Sequence, residues 1–435
     1  MDPLIIGLIA FIALIALMLL RVPIGMRMLA VGAGGLLLLK GTNLAYYALS
    51  TTPYNAIFSF SLVAIPMFIL LGNLANEAGV TTELYDIGNK ILGRLPGGLG
   101  MATVFTCAGF AATTGSSVGM VPAMTRIALP EMDRYGYDRR ISLGTIAGAG
   151  TLGILIPPSI PMVIYAINTE QSVGRILMGG VIPGAIMALA MLTYLGIYCG
   201  MHPKMAPLSE KSGLNFWDKV KSLKGLWSIV LLFGGVIGAI YLGWATATEA
   251  AAIGCLIAIL IAAIKKRLNF KNLKNAFVDT IKTTCMIMLI SVGAAVFQLF
   301  LTRCGFASAF ANLFISASLP TFWMIVILLL VYIPLGMFFD TMGMILLTVP
   351  IFYPILSAAH VDPIWFGVMV VMMIQISLLT PPVGLNVYVL KGCVPDASLS
   401  SIFKSAMPWV AIQLVVVAIV LLIPATVTWL PSLMK

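Results

Sequence analysis

Apolar runs of about 20 residues, the length of a helix that spans a bilayer, recur along this chain and constrain its fold more than any other feature. The strands of a membrane β-barrel would instead alternate apolar and polar residues over about ten positions, and these runs do not alternate. Charged residues make up 9% of the 435 residues, whereas a soluble domain has about 25%. The sequence therefore predicts an all-α polytopic membrane protein.

Basic residues cluster in short segments between the apolar runs, which places those segments in the cytoplasm by the positive-inside rule. The net charge of +10 is thus a topology signal and does not indicate nucleic-acid binding. The first run, 4–20, lacks a small-residue cleavage site, so we expect a retained helix. The clusters lie at Arg21 and Arg27, Lys90 and Arg94, Arg126 to Arg140, Lys204 to Lys224, Lys265 to Lys282, and Lys391 and Lys404.

Two apolar segments do not fit simple spans. Segment 96–130 has basic clusters at both ends and is too short to cross twice, and its middle reads ATTGSSVGM (112–120). We predict a re-entrant helical hairpin with its tip at Gly115–Gly119, which is tolerated at depth only inside protein or beside water. Segment 320–357 is interrupted by FFDTMG (338–343) and predicts a second hairpin that enters from the opposite side.

A pair of adjacent prolines follows each hairpin, in GILIPPSIPMVIYAI (153–167) and in LLTPPVGLNVYVL (378–390). Each proline removes a backbone donor and breaks the helix that contains it. We therefore predict broken helices over 142–168 and 363–391.

The chain divides into two halves of the same plan. Each half, 1–200 and 225–435, reads as three spans, a hairpin and two spans, the first of these two being the broken helix; a polar cytoplasmic linker, 201–224, joins the halves. Five full spans is an odd number, so the second half must be inverted relative to the first. Inverted-topology repeats are typical of secondary transporters.

Oxygen-bearing side chains concentrate at the tips and breaks, as an alkali cation site requires, while half-helix N-termini there suit anions. A carboxylate at the centre of a span costs about 2.5–3.5 kcal/mol, so Asp340 indicates a bound cation or a water-filled site. The alternative is that Asp340 caps the helix that follows it. A tight turn alone would also explain Ser116 and Ser117.

Several stretches carry a family resemblance. They are FSFSLVAIPMFILLGNLANEAG (58–79), GILIPPSIPMVIYAI, ATATEAAAIG (245–254), LGMFFDTMG (335–343) and TPPVGLNVYVL. In this order, along nearly the whole chain, they resemble the large membrane (permease) subunit of TRAP transporters, the DctM-like family of the ion-transporter superfamily. Ala247 stands where the family usually has proline, and Val118 and Met120 make the first tip more apolar than in many relatives.

The resemblance implies a permease of the bacterial inner membrane that imports organic acids of the C4-dicarboxylate or sialic-acid type. It implies coupling to Na⁺ with no other cofactor, a periplasmic substrate-binding protein, and a small four-helix membrane subunit. Residues 1–27 leave no room for a fused small subunit, so we expect a separate chain. It further implies an elevator, in which a transport domain with both hairpins and both broken helices moves past a scaffold.

The resemblance also places a Na⁺ site between each tip and its break, with substrate between the two sites. The implied Na⁺ ligands are Ser116, Ser117, Ile156, Pro157 and Ser159 in the first site, and Asp340, Thr341, Thr380, Pro381, Gly384 and Asn386 in the second. The implied substrate contacts are Thr113, Thr114, Gly115, Pro158, Gly343 and Pro382.

Two other functions stay open. One is a stand-alone cation-coupled anion carrier without partner subunits, and the other is a channel or an assembly scaffold. An enzyme is not expected, because the sequence has neither a G-x-x-x-x-G-K-[ST] phosphate loop nor a nucleophile and base arranged for catalysis. The six cysteines show no metal-ligand spacing, and we expect each to be a small buried side chain.

Overall fold

The computed structural model describes residues 2–20, 22–207, 223–316 and 319–434, and these residues contain helices and turns but no strand. The first half contains α1 (Pro3–Leu19), α2 (Ile24–Lys40), α3 (Thr42–Ser50), α4 (Thr52–Ile57), α5 (Ala64–Glu77), α6 (Val80–Leu92), α7 (Gly98–Thr114), α8 (Ser117–Arg134), α9 (Arg139–Gly150), α10 (Ile160–Asn168) and α11 (Val173–Met201).

The second half contains α12 (Trp227–Tyr241), α13 (Ala247–Ile264), α14 (Phe270–Arg303), α15 (Phe306–Ser316), α16 (Thr321–Leu330), α17 (Tyr332–Leu335), α18 (Thr341–Ala358), α19 (Pro363–Ser377), α20 (Leu385–Cys393), α21 (Leu399–Leu422) and α22 (Ala425–Ser432). Most of the predicted linker, residues 208–222, and Arg21 lie outside the described residues.

Seven helical segments among the described residues are long and apolar enough to cross a membrane, and five shorter apolar helices accompany them. Helix α13 illustrates how they pack. Its large side chains at four-residue spacing, Leu256, Leu260 and Ile264, are exposed, whereas Gly254 and Ala258 are buried. Large apolar residues facing lipid and small ones facing neighbouring helices are the pattern of a membrane bundle. The chain is a multi-pass membrane protein.

Helix starts follow local capping rules. The Thr246 hydroxyl accepts a hydrogen bond from the backbone N–H of Glu249, and the Glu249 carboxylate accepts one from the N–H of Thr246. This capping box fixes the start of α13 and gives Glu249 a structural role. Asp362 caps α19 by accepting from the N–H groups of Ile364 and Trp365.

The helices are interrupted at four places of interest, two turns between helices and two breaks. A two-residue turn, Gly115 and Ser116, joins α7 to α8, and a turn ending at Asp340 joins α17 to α18. Residues 155–159 separate α9 and its short 3₁₀ turn (Thr151–Ile154) from α10, and residues 378–384 separate α19 from α20. Both halves therefore run hairpin, broken helix, long helix in the same order.

Two expectations about individual residues were wrong. Arg27 does not lie in a loop, because α2 begins at Ile24 and buries the Arg27 side chain to 7% exposure. Two of the cysteines, Cys285 and Cys393, are exposed. A thiol is small and apolar enough to sit on the outer surface of a membrane helix as readily as in its core.

Candidate functional site

The first hairpin tip packs directly on the first break through backbone atoms. Gly115 has a left-handed backbone (φ +61°), and a Cβ atom there would lie 2.4 Å from the Pro158 carbonyl oxygen. The N–H of Ile160 donates to the Gly115 carbonyl over 3.3 Å. A Cβ atom on Gly153 would lie 2.6 Å from the Ser116 carbonyl oxygen. Only glycine permits both approaches, so tip and break are held together as one unit.

Ser159 links the two halves of the first broken helix. Its hydroxyl donates to the Ile154 carbonyl over 2.5 Å and accepts a hydrogen bond from the N–H of Met162 over 3.4 Å. These bonds satisfy one orphan carbonyl before the break and one orphan N–H after it. In this conformation the Ser159 hydroxyl therefore stabilises the break itself.

Asp340, at the second tip, both caps a helix and lines a cavity. Its carboxylate caps α18 by accepting from the N–H groups of Met342 and Gly343, each over 3.3 Å. The same side chain also lines a cavity that the first tip borders. The capping interpretation and the ligand interpretation of Asp340 are thus compatible.

The cavity has a volume of about 340 Å³ and is lined by both tips and by residues that flank the two breaks, Ile154 and Ile160 at the first and Leu385 at the second. The first residues of four helices line it: Ser117 of α8, Ile160 of α10, Thr341 of α18 and Leu385 of α20. Each helix N-terminus carries a partial positive charge. Among the described residues that line the cavity, none is basic and Asp340 alone is acidic. Any partial positive charge that faces the cavity therefore comes from the backbone.

Helices α5 and α14 form the opposite wall of the cavity. Asn73 and Asn76, three residues apart on one face of α5, both line it, as does Thr283 of α14. The Asn73 amide donates to the Thr280 hydroxyl over 3.0 Å, which holds α5 against α14. Sequence reasoning missed these polar residues, although two asparagines three apart in the apolar stretch GNLANEAG were a usable signal.

The predicted site residues divide into two groups. Those that line the cavity are Thr114, Gly115, Ser116, Ser117, Asp340 and Thr341. Those that do not are Thr113, Ile156, Pro157, Pro158, Ser159, Gly343, Thr380, Pro381, Pro382, Gly384 and Asn386. The two proline pairs also differ, since the first is buried and the second is exposed. The ligand assignments themselves stay predictions.

Two predicted ligands have buried polar atoms without a partner among the described residues. The Ser117 hydroxyl and both polar atoms of the Asn386 side chain are buried and unpaired. Asn386 lies beside the first hairpin, since a Cβ atom on Gly150 would be 3.8 Å from its Nδ2 and 2.7 Å from Val121 of α8. Such atoms call for a bound ion or water, so they fit a ligand-binding role.

Arg27 lies close to the second tip. A Cβ atom on Gly343 would be 2.4 Å from Cδ1 of Ile24, which is one turn before Arg27 in α2. The guanidinium is within electrostatic range of the Asp340 carboxylate, and its Nη1 donates to the Leu14 carbonyl over 3.5 Å. A buried positive charge therefore stands behind the tip, outside the cavity.

A polar cluster that the sequence did not reveal joins the two breaks. The Thr151 hydroxyl, just before the first break, accepts from Nε2 of Gln375 (2.8 Å) and from Nε2 of Gln413 (2.9 Å), and donates to the Gly148 carbonyl (2.7 Å). All three side chains are fully buried. Gln375 is in α19, which leads into the second break, so the cluster holds the two breaks in register.

We expect the Thr151→Val variant to lower stability by more than about 2 kcal/mol. The isosteric change leaves two buried amide groups without an acceptor, at about 1–3 kcal/mol each. The measurement is the thermal unfolding midpoint of the purified protein in detergent. The control is Thr125→Val, because the Thr125 hydroxyl donates to the Val121 carbonyl of its own helix (2.7 Å). Equal shifts in the two variants would contradict a special role for the cluster.

The fold is similar to that of a solved transporter. The chain superimposes on the crystal structure of the YdaH transporter of Alcanivorax borkumensis with a TM-score of 0.62 and 12% identity, over 92% of this chain and 91% of that one. At this identity the likeness concerns the fold alone.

The family follows from the sequence comparisons. Residues 11–426 match the model of the tripartite ATP-independent periplasmic transporter, DctM component. The chain is 36% identical to the C4-dicarboxylate TRAP transporter large permease protein DctM of Pseudomonas aeruginosa, over 86% of each chain. It is 28% identical to the sialic acid TRAP transporter large permease protein SiaM of Vibrio cholerae, over 94% of this chain and 95% of that one. The chain belongs to the DctM family of TRAP transporter large permeases, which are transport proteins and not enzymes.

Proposed function

We propose that this chain is the large permease subunit of a Na⁺-coupled secondary importer of organic acids in the bacterial inner membrane. The observation that carries the proposal is the convergence of four helix N-termini on one cavity that no basic side chain among its described residues lines. An organic anion in this cavity would meet partial positive charges from the backbone. Cations bound beside it would supply the remaining positive charge.

The chemistry of the tips favours Na⁺ as the coupling ion. Hydroxyl, carboxylate and backbone oxygens surround the tips, and hard oxygens are what an alkali cation prefers. The two histidines, His202 and His360, lie in the helix-flanking segments after α11 and before α19, and neither lines the cavity. Proton coupling through a histidine at the tips therefore has no support.

The contacts across the cavity also fit an elevator. The first tip is held to its break by glycine-mediated backbone packing, and the two breaks are held together by the Thr151 cluster. These parts would move as one transport domain. The wall of α5 and α14 would belong to the scaffold, and the cavity lies at the boundary between the two. We include the inverted repeat in this proposal, because each half of the chain contributes one tip and one break to the transport domain.

The family description names a tripartite assembly. We therefore include a small membrane subunit and a periplasmic substrate-binding protein in the proposal. The C4-dicarboxylate and sialic acid permeases among the relatives suggest one of these two substrate classes.

The direct test is uptake into proteoliposomes that contain this chain and its small subunit. We expect uptake of a dicarboxylate or sialic acid only with an inward Na⁺ gradient and with the cognate binding protein outside. Uptake with Na⁺ but without the binding protein would instead indicate a stand-alone carrier. A single-channel current across a planar bilayer would contradict a carrier of either kind.

A further inference from the structure

A second cavity, of about 600 Å³, lies at one end of the membrane-spanning helices and has no part in the site above. It is bordered by the start of α9, the last turns of α11 and the first three turns of α21. Helices α11 and α21 are both candidate membrane spans, and the cavity lies at the end of one and the start of the other. That position is the boundary between the hydrocarbon core and the headgroups.

The rim of this cavity carries two cations without an acidic partner. Arg140 and Lys404 line it and are exposed, and neither forms an ion pair among the described residues. Two nearby acids, Asp133 and Asp396, pair instead with Arg139, over 3.1 and 3.5 Å. A third, Asp138, is the N-cap of α9 and accepts from the backbone N–H of Arg140 over 2.7 Å, but it does not line the cavity. Among the described lining residues none is acidic. The rim therefore offers uncompensated positive charge to an anion.

The floor of the cavity is aromatic and firmly held. The rings of Tyr194 and Trp409 meet edge to face with centroids 5.6 Å apart, and Tyr194 stacks on Tyr198 at 5.4 Å. Trp409 is buried against α9, where a Cβ atom on Gly144 or Gly148 would lie 2.8 or 2.5 Å from its indole ring. Tyrosine and tryptophan concentrate at the headgroup level of membranes.

Hydroxyl groups accompany the cations in the lining of the cavity. Ser398, Ser400 and Ser401 line the cavity, and Ser398 is the N-cap of α21. Below them, away from the basic end, the outer surfaces of α11 and α21 carry exposed apolar side chains such as Leu189 and Leu414. The parts of a phospholipid, from headgroup to acyl chains, have counterparts here. These are the cationic and hydroxyl-lined rim, the aromatic floor and the apolar flank.

We propose that this cavity binds an anionic phospholipid, with the headgroup phosphate between Arg140 and Lys404 and the acyl chains along α11 and α21. Basic pockets between helices at the cytoplasmic face are where anionic headgroups bind to membrane proteins. The lipid would join the start of α9, which leads to the first break, to the start of α21. The lipid would thereby hold the starts of α9 and α21 at the membrane surface.

The test compares lipid binding to the full-length purified chain and to two charge-matched double variants. The first, Arg140→Gln with Lys404→Gln, removes the rim cations. The second, Arg94→Gln with Arg126→Gln, removes two exposed cations outside the cavity. Native mass spectrometry in detergent measures the retention of phosphatidylglycerol against phosphatidylcholine. Thermal unfolding with added phosphatidylglycerol or inorganic phosphate gives a second readout.

We expect wild type and the control variant to retain phosphatidylglycerol in preference to phosphatidylcholine. In the rim variant the ratio of the two lipids should fall by about tenfold or more, because each basic group near a headgroup contributes about fivefold to binding. Equal loss in both variants would overturn the proposal, because it would reflect overall charge alone. Equal retention of the two lipids by wild type would also overturn it. Stabilisation by inorganic phosphate that matches the lipid would assign the cavity to a free anion instead.

Discussion

Asp340→Asn is expected to reduce Na⁺-driven uptake by at least about tenfold while the protein still folds. Asparagine caps a helix about as well as aspartate, so the start of α18 is retained. The charge is lost, however, and with it the one carboxylate among the described residues that line the cavity. A change of about 1.4 kcal/mol in cation binding corresponds to the tenfold effect. The measurement is the initial uptake rate as a function of Na⁺ concentration.

Asp362→Asn is the matched control for this variant. Asp362 is also an N-cap, accepting from two backbone N–H groups over 2.8 and 2.9 Å, but it lies at the start of α19 and outside the cavity. We expect its uptake to stay close to wild type. An unchanged Na⁺ dependence in Asp340→Asn, with normal expression, would remove Asp340 from the proposed cation site and leave it as a cap.

Gly115→Ala is expected to abolish most transport, because it forces the first tip away from the first break. A single methyl group would lie 2.4 Å from the Pro158 carbonyl oxygen, a backbone atom that cannot move aside as a side chain could. The left-handed backbone at Gly115 adds about 1–2 kcal/mol for any residue with a Cβ atom. We expect the uptake rate to fall by more than about tenfold, the effect of each 1.4 kcal/mol, together with a lower unfolding midpoint.

The control for Gly115→Ala lies four residues away. Gly119 belongs to the same tip and also borders the cavity, yet a Cβ atom there would meet nothing within 4 Å. Gly119 is in α8, where alanine is the better helix former by about 1 kcal/mol. Gly119→Ala should therefore fold and transport normally. Equal uptake by the two variants would show that close packing of tip and break is not required.

The interruptions of the helices could be predicted from sequence because their causes are local. Paired prolines cannot donate to the preceding turn, and glycine with small polar residues ends a helix wherever it occurs. Gly115 and Pro157 thus marked the first tip and the first break before any tertiary information. Asp340 could be placed at the second tip for the same reason. The cost of burying a carboxylate suggested its cation-binding role, and the preference of helix N-termini for aspartate suggested its capping role.

The partners of those interruptions could not be predicted in the same way. Arg27 looked like a loop residue because a basic side chain near a span end usually snorkels to the surface. Its burial depends on the neighbouring helix α1 and on the second tip, which is distant in sequence. Gln375 and Gln413 are isolated polar residues within apolar runs, and the sequence pattern predicted no role for them. Their shared bond to Thr151 joins positions 224 and 262 residues apart.

The sequence by itself determined that this is a helical membrane protein, and it predicted two similar halves, each with a hairpin and a proline-broken helix. Hydrophobic length, proline and glycine act through the backbone of their own segment, so they can be interpreted one segment at a time. Only the tertiary structure decided that four helix N-termini meet at one cavity, that α5 supplies its opposite wall, and that Asn386 lies beside the first hairpin. These arrangements arise from packing between distant segments, and no local pattern specifies which segments will meet.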